Sequence, residues 1–284
     1  MQAAELALLQ VMANDGLDGT QYGFVQCTNE ENAAYDAMTQ DEANLAMSRY
    51  LADEIGVVGM IGPATSSRVN SAYLEVEQFG TLLITPSATS PALTDLDGVE
   101  STYDSPGLLW RTVPPDDLQG EILAIHMRSL GIDRVAAVYE NGEYGGALIR
   151  VFMEEFEGLG GATVPLPFSP NNSEEFRSAI DKVGAQDAVP FVSSTKDDTV
   201  RFLDEVVDNT FGSTPVFLAD GGQDVELFES VTGIENRLDQ ISGTAPSSSK
   251  TVVYEGFAAE YASKFGESAD QTPYTGRAYD AAWL

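Results

Sequence analysis

Short apolar runs alternate along this chain with longer segments in which apolar residues recur every three or four positions. The first such segment, residues 3–14, puts Ala4, Leu8, Val11 and Met12 on one helical face. Gly16 and Gly19 break it, and residues 22–27 read as a short strand. A second helix is predicted over 40–55, with Ala43, Ala46, Tyr50 and Leu51 facing inward. Residues 57–61 are too few for a helix and are bounded by glycines, which predicts a buried parallel strand. A helix over 66–79, with Val69, Tyr73 and Val76 in phase, precedes a buried strand over 81–85. Residues 86–107 hold five prolines or glycines among many hydroxyl side chains and read mostly as loop.

The rhythm then resumes. Helices are predicted over 118–130, 144–159, 173–183 and 197–207, and strands over 134–140, 162–168, 188–193 and 215–219. Alternation of short apolar strands with helices of this length is the signature of βαβ units and parallel sheets. The hydroxyl-rich interruption separates two such series, so the chain reads as two α/β lobes, and 284 residues at about 150 per domain agree. Residues 251–265 and 278–284 are helical again and follow a Ser/Gly/Pro-rich stretch at 242–249.

Composition removes most chemistry. Fourteen basic residues against 45 acidic ones leave a net charge of −31, which repels phosphate backbones and anionic lipid and argues against nucleic-acid binding. Such acidity ordinarily keeps a surface solvated; the sharper reading is adaptation to a saline habitat, which the mere four lysines (Lys182, Lys196, Lys250 and Lys264) suit. The single cysteine, Cys27, excludes an internal disulfide or a multi-cysteine metal site and reads as a small core residue of its strand. The single histidine, His126, excludes a His-rich zinc site and reads as a surface or partly packed helix residue. No run approaches the roughly 18 apolar residues of a membrane span, and no basic n-region followed by an apolar stretch is read at the start of the sequence. G-x-S-x-G, H-E-x-x-H and paired C-x-x-C motifs are absent, so no cofactor, metal or enzymatic activity is expected. Asn171-Asn172-Ser173 matches a glycosylation sequon, which matters only in a host that glycosylates secreted protein.

Ligands of open α/β sheets sit beyond the carboxyl ends of strands, where helix N-termini point. Gly62-Pro63-Ala64-Thr65-Ser66-Ser67 follows the strand at 57–61, and Pro86-Ser87-Ala88-Thr89-Ser90-Pro91 follows the one at 81–85. Hydroxyls in such places ordinarily cap helices or form turns. Two such loops on consecutive strands face the same side, however, and together can hold a carboxylate without an arginine. Glu140-Asn141-Gly142-Glu143-Tyr144-Gly145-Gly146 lacks both phosphate-loop spacings and carries two glutamates, so a nucleotide is excluded. Asp220-Gly221-Gly222 ends another strand; an aspartate there is commonly a turn former, but in a cleft it suits an ammonium group.

These loops carry a resemblance. Residues 57–67 (VVGMIGPATSS) and 83–94 (LITPSATSPALT) resemble the Leu/Ile/Val-binding-protein family, the type I periplasmic binding proteins that deliver solutes to ABC transporters. Residues 110–120 (WRTVPPDDLQG) look like the family's first crossover, 134–145 like the start of its second lobe, and 257–265 with 278–282 (AYDAA) like helices returning to the first. The resemblance covers most of the chain in order. It implies a first lobe over 1–113, a second over 114–242, and a return crossover with more of the first lobe over 243–284. It also implies two Rossmann-like lobes hinged around a small solute. Ser66, Ser87 and Thr89 would then hold an α-carboxylate, Asp220 the ammonium, and Tyr144 the cleft edge, with a further contact near Ser194 or Thr195.

The same resemblance implies a monomeric, extracytoplasmic binding protein whose partners are a small carboxylate and a membrane permease. The alternative is a ligand-sensing domain of a receptor or regulator with the same fold. Against the family pattern, the first strand and the final segments have no counterpart in the sequence. A signal peptide would precede that strand, the connection over 28–41 is longer and more polar, and Thr65 stands where some members carry a disulfide cysteine.

Overall fold

A computed structural model describes residues 1–14, 16, 19–27, 38–98, 106–222, 225–247 and 250–284. Most of the polar connection over 28–41, and part of the loop over 86–107, lie outside the described residues. The elements run in chain order: α1 (Gln2–Ala13), α2 (Gln40–Arg49), β1 (Gly59–Ile61), α3 (Ser66–Val76), β2 (Leu82–Thr85), β3 (Leu109–Arg111), α4 (Asp116–Ser129) and β4 (Arg134–Glu140). Then follow α5 (Gly145–Gly158), β5 (Ala162–Phe168), α6 (Ser173–Ile180), β6 (Val189–Val192), α7 (Lys196–Val207), β7 (Val216–Leu218), α8 (Val225–Glu229), β8 (Ile241–Gly243), α9 (Val252–Phe265) and α10 (Thr275–Trp283). The chain divides into two compact units. Met1–Thr89, Leu93–Pro114 and Ser248–Leu284 form the first, and Ser90–Ala92 with Pro115–Ser247 form the second.

In the first unit β1, β2 and β3 form a parallel sheet in that order, with Met60 opposite Leu83 and Ile84 opposite Trp110. Val69, Ala72, Tyr73 and Val76 of α3 bury against Leu83, Ala88 and Leu93, as their helical phase predicts. α10 packs on β1 and β2, and α1 against α9 and α10, where Leu6, Phe257 and Tyr261 make a smaller core.

Three expectations fail here. Residues 22–27 form no strand: an isolated extended segment has no neighbouring backbone to absorb its N–H and C=O groups, and Cys27 is only half-buried. The strand at 57–61 begins at Gly59 and lies at the edge of the described sheet, so it is not buried, and Val58 is 82% exposed. In the second helix Ala43, Asn44, Ser48 and Ala52 face inward, while Ala46 and Tyr50 face out. Polar residues take that face because they satisfy each other locally. Ser48 Oγ donates to the Asn44 carbonyl at 2.8 Å, and Asn44 Nδ2 to the Arg68 carbonyl at 3.4 Å. A wide π-helical turn over Tyr50–Ile55 then shifts the phase of the apolar positions.

The second unit is a five-stranded parallel sheet in the order β5-β4-β6-β7-β8. Successive side chains leave a strand on opposite faces, and the sequence exploits this on every central strand. Ala136, Val138, Val189, Phe191, Val216 and Leu218 meet α6 and α7 through Phe176, Ile180, Phe202 and Leu203. Val135, Ala137, Val192 and Phe217 meet α4 and α5 through Leu123, Met127, Leu148, Phe152 and Phe156. Both faces are covered, which is why these strands read as continuous apolar runs. The three-residue strands β3 and β8 escaped the sequence reading, being too short and too polar to show a pattern. Asn172 of the sequon caps α6, its side chain accepting from the Glu174 and Glu175 amides at 3.2 Å. His126 is exposed on α4, with its ring at the edge of Phe217, 6.1 Å away.

Among the described residues no helix is long and apolar enough to cross a membrane. The surface carries most of the net charge of −31, and its self-repulsion works against compaction until salt screens it. Raising KCl from about 0.05 M to about 2 M is expected to raise the melting temperature by roughly 5–10 °C. A flat melting temperature in scanning calorimetry would remove the saline reading of the acidity.

Candidate functional site

Each unit gathers its hydroxyl and acidic side chains at the carboxyl ends of its strands. In the first, the loop after β1 and the loop after β2 are stitched together by side chains. Thr85 Oγ1 donates to the Pro63 carbonyl at 3.0 Å and accepts the Ala88 amide at 3.1 Å. Ser87 Oγ donates to the Ala64 carbonyl at 2.8 Å, and the Gly62 amide donates to the Ile84 carbonyl at 2.9 Å. Ser66 opens α3 and is buried, and Thr89 is buried as well. The structure thus brings the loops of Ser66, Ser87 and Thr89 together beside the N-terminus of α3, where backbone N–H groups favour an anion. Ser87 spends its proton on Ala64, so here it fixes the two loops; donating to a carboxylate would require that hydroxyl to turn. Arg111, which the sequence reading passed over, donates to the Thr89 carbonyl at 3.4 Å and to Thr94 Oγ1, and so braces the second loop.

In the second unit β4 has β5 on one side and β6 on the other, so the crossovers leave it in opposite directions. A crevice opens at such a switch point beyond the strand ends. Tyr144, Ser194, Thr195 and Asp220 all stand in the loops after β4, β6 and β7. Asp220 is 4% exposed, and Oδ1 accepts from Tyr144 Oη at 2.5 Å and from Gln119 Nε2 at 3.0 Å. Gln119 in turn bonds Thr244 Oγ1 at 3.1 Å, and the Gly221 amide donates to Tyr144 Oη at 3.2 Å. These donors fix the direction of a buried carboxyl group, which is what an ammonium partner requires.

Ser194 and Thr195 behave differently from the contact that the resemblance implies. Ser194 donates its amide and its hydroxyl to Glu140 Oε2 at 2.6 and 2.9 Å, and Ser193 Oγ adds a third bond at 3.1 Å. Thr195 Oγ1 donates to Asp198 Oδ2 at 2.8 Å and caps α7. Asp198, fully buried, also accepts the Asn171 amide at 2.9 Å and pairs with Arg201 at 3.1 Å. These hydroxyls are committed to two internal carboxylates. Burial pushes the Glu140 carboxyl above the ordinary glutamate range, although the three serine donors pull it down; the nearby Asp198 charge adds to the rise.

Glu140, Gln119 and Thr244 were not among the candidates from sequence. Glu140 had a readable signal, a carboxylate closing the apolar strand RVAAVYE, whereas nothing in the helical pattern around Gln119 marks it. Among the described residues no group of acidic, histidine and cysteine side chains is arranged to hold a metal.

Solved structures share this architecture. The substrate-binding protein LivJ of Streptococcus pneumoniae, solved with isoleucine, superposes with a TM-score of 0.76 at 20% identity, covering 99% of this chain and 76% of that one. An ABC-transporter solute-binding protein of R. palustris, solved with benzoate, gives 0.74 at 16% identity, covering 99% and 72%. An uncharacterized protein of Methanocaldococcus jannaschii is 26% identical over 117 residues, 41% of this chain and 27% of that one. The chain therefore spans about a quarter of that relative, and the likeness to the solved structures establishes the type I periplasmic-binding fold. The model of the receptor family ligand binding region matches residues 1–284, and the chain belongs to that family.

Proposed function

We propose that the chain is the solute-binding component of an ABC importer, working outside the cytoplasm, and that its solute is an α-amino acid or a similar small carboxylate. The observation that carries the reading is Asp220, a buried acid at a strand end whose oxygen is oriented by Tyr144 and Gln119. A turn-forming aspartate would sit in solvent and bond its own backbone. A buried one stabilises a cation brought to it, each charge-assisted bond contributing about 1.5–3 kcal/mol. Within the first unit, Ser66, Thr89 and the N-terminus of α3 are groups suited to a carboxylate, and Ser87 joins their loops. The similar structures, one solved with isoleucine and one with benzoate, support a carboxylate-bearing solute. The proposed partners are that solute and a membrane permease, with the binding protein acting as a monomer. The proposed role is accordingly binding rather than catalysis.

A thermal-shift screen against the proteinogenic amino acids and small organic acids tests this. An amino acid at a hundred times its Kd should stabilise the fold by about 2.7 kcal/mol. Shifts with organic acids alone would retain the carboxylate half and overturn the role of Asp220; no shift with any carboxylate would overturn the whole reading.

A further inference from the structure

Behind the turn that carries Asp220 stands a carboxylate with no part in the binding scheme so far. Glu140 is 3% exposed at the end of β4, and among the described residues no ion pair reaches it. One oxygen, Oε2, takes three hydrogen bonds, all from the loop after β6. On its other side the start of α5 lies so close that a Cβ on Gly145 would come within 2.6 Å of Glu140 Cγ. Gly145 follows Tyr144, whose hydroxyl bonds Asp220. Gly221 follows Asp220, donates to that same hydroxyl, and rests its backbone directly on the Ser193 carbonyl, where a side chain has no room. The two loops that flank Asp220 therefore both lean on Glu140.

We infer that Glu140 is a positioning residue of the solute site: it holds residues 193–195 and the start of α5 at the spacing that aims Asp220 at an ammonium group. This rests on the reading of Asp220 given above. A functional side chain is only as well placed as the hydrogen-bonded shell behind it. Three donors on one oxygen hold a charged carboxylate most strongly, and a proton on the group weakens that hold. The charged group facing Glu140 is Asp198 of α7, already paired with Arg201; α5 and the β6 loop face it with Gly145, Ser193 and Ser194. Burial, the dominant cause, and Asp198 both favour the proton, so acidification loosens the lock at a higher pH than an ordinary glutamate would.

Affinity is therefore expected to fall as pH falls. Stability moves the other way for this group. Its folded value lies above its unfolded one, so folding favours the protonated form, and its contribution to stability grows as pH drops through the folded value. Weakened binding in acid is thus separable from unfolding.

The experiment is calorimetric titration of the parent, Glu140→Gln, Glu140→Ala and Asp220→Asn with each proteinogenic amino acid, at about pH 7.5 and about pH 5. The parent should lose roughly tenfold in affinity across that range. Glu140→Gln, whose amide oxygen still accepts hydrogen bonds, should start about fivefold weaker and stay flat with pH. Glu140→Ala should be weaker again, and if it does not fold, the isosteric Gln variant decides. Loss of binding in Asp220→Asn together with parent-like affinity and the same acid decline in Glu140→Gln would overturn the positioning role alone. Undiminished binding in Asp220→Asn, or no amino acid bound by the parent, would overturn the reading of Asp220 and this inference with it.

Discussion

Asp220→Ala is expected to weaken binding of an α-amino acid by about two to three orders of magnitude, or roughly 3–4 kcal/mol. The loss is large because the ammonium would still be desolvated by the site but would find no negative charge there. Tyr144 and Gln119 would also lose an acceptor, so part of the effect is disorder in the side chains that remain. Asp220→Asn separates the two contributions. The amide keeps an oxygen for Tyr144 and Gln119 but carries no charge, so it should retain the fold and lose most of the affinity. A des-amino analogue of the same solute should lose far less affinity between the parent and the Asn variant, since it brings no ammonium for Asp220 to meet. Calorimetry that finds amino-acid affinity unchanged in Asp220→Ala would leave the aspartate as a structural turn residue.

The second large effect falls on stability. Phe191 stands in the middle of β6, 1% exposed, and its ring stacks on Phe202 with centroids 4.1 Å apart and planes 9° from parallel. Phe168 lies parallel on its other side at 6.0 Å, and Phe176 meets it edge-on at 6.5 Å. Phe191→Ala removes the centre of this group and opens a cavity that backbone on both sides of the sheet resists filling, at a cost of about 3–5 kcal/mol. The unfolding midpoint should fall by about 10–20 °C. Phe191→Leu, which keeps most of the volume, should lose about half as much. Because Ser193–Thr195 continue directly from β6, the Ala variant should also bind solute more weakly than the Leu variant. A parent-like melting temperature in Phe191→Leu would show that the stacked rings contribute nothing beyond their bulk.

What could be read from the chain follows from where side chains are buried. β4, β6 and β7 lie between two helical layers, so Val135–Val138 and Val189–Val192 had to be apolar on both faces, and the runs were visible. The edge strands β3 and β8 carry no such demand, and a Leu-Trp-Arg or an Ile-Ser-Gly triplet looks like loop. The inward face of α2 was misjudged for a related reason. Asn44 and Ser48 bury there because each finds a carbonyl within one turn or on α3, and a count of apolar residues cannot see a hydrogen bond. Among the candidate site residues, Asp220 and Tyr144 are in direct contact, and Ser66, Ser87 and Thr89 stand on two joined loops. Ser194 and Thr195 were located correctly at a strand end, but their hydroxyls serve Glu140 and Asp198. The destination of a hydroxyl proton depends on partners more than fifty residues away for Ser194, and no local pattern records it.

The meeting of Gly221 with the Ser193 carbonyl has a bearing on how this protein's preferences can be altered. Where two main chains touch with nothing interposed, the gap between them is a covalent dimension, and no exchange of amino acids can widen it by a small step. Attempts to re-tailor preference are better spent on Gln119, whose side chain bonds the same aspartate, and on Thr244, which bonds Gln119; both can be swapped without prising the two loops apart.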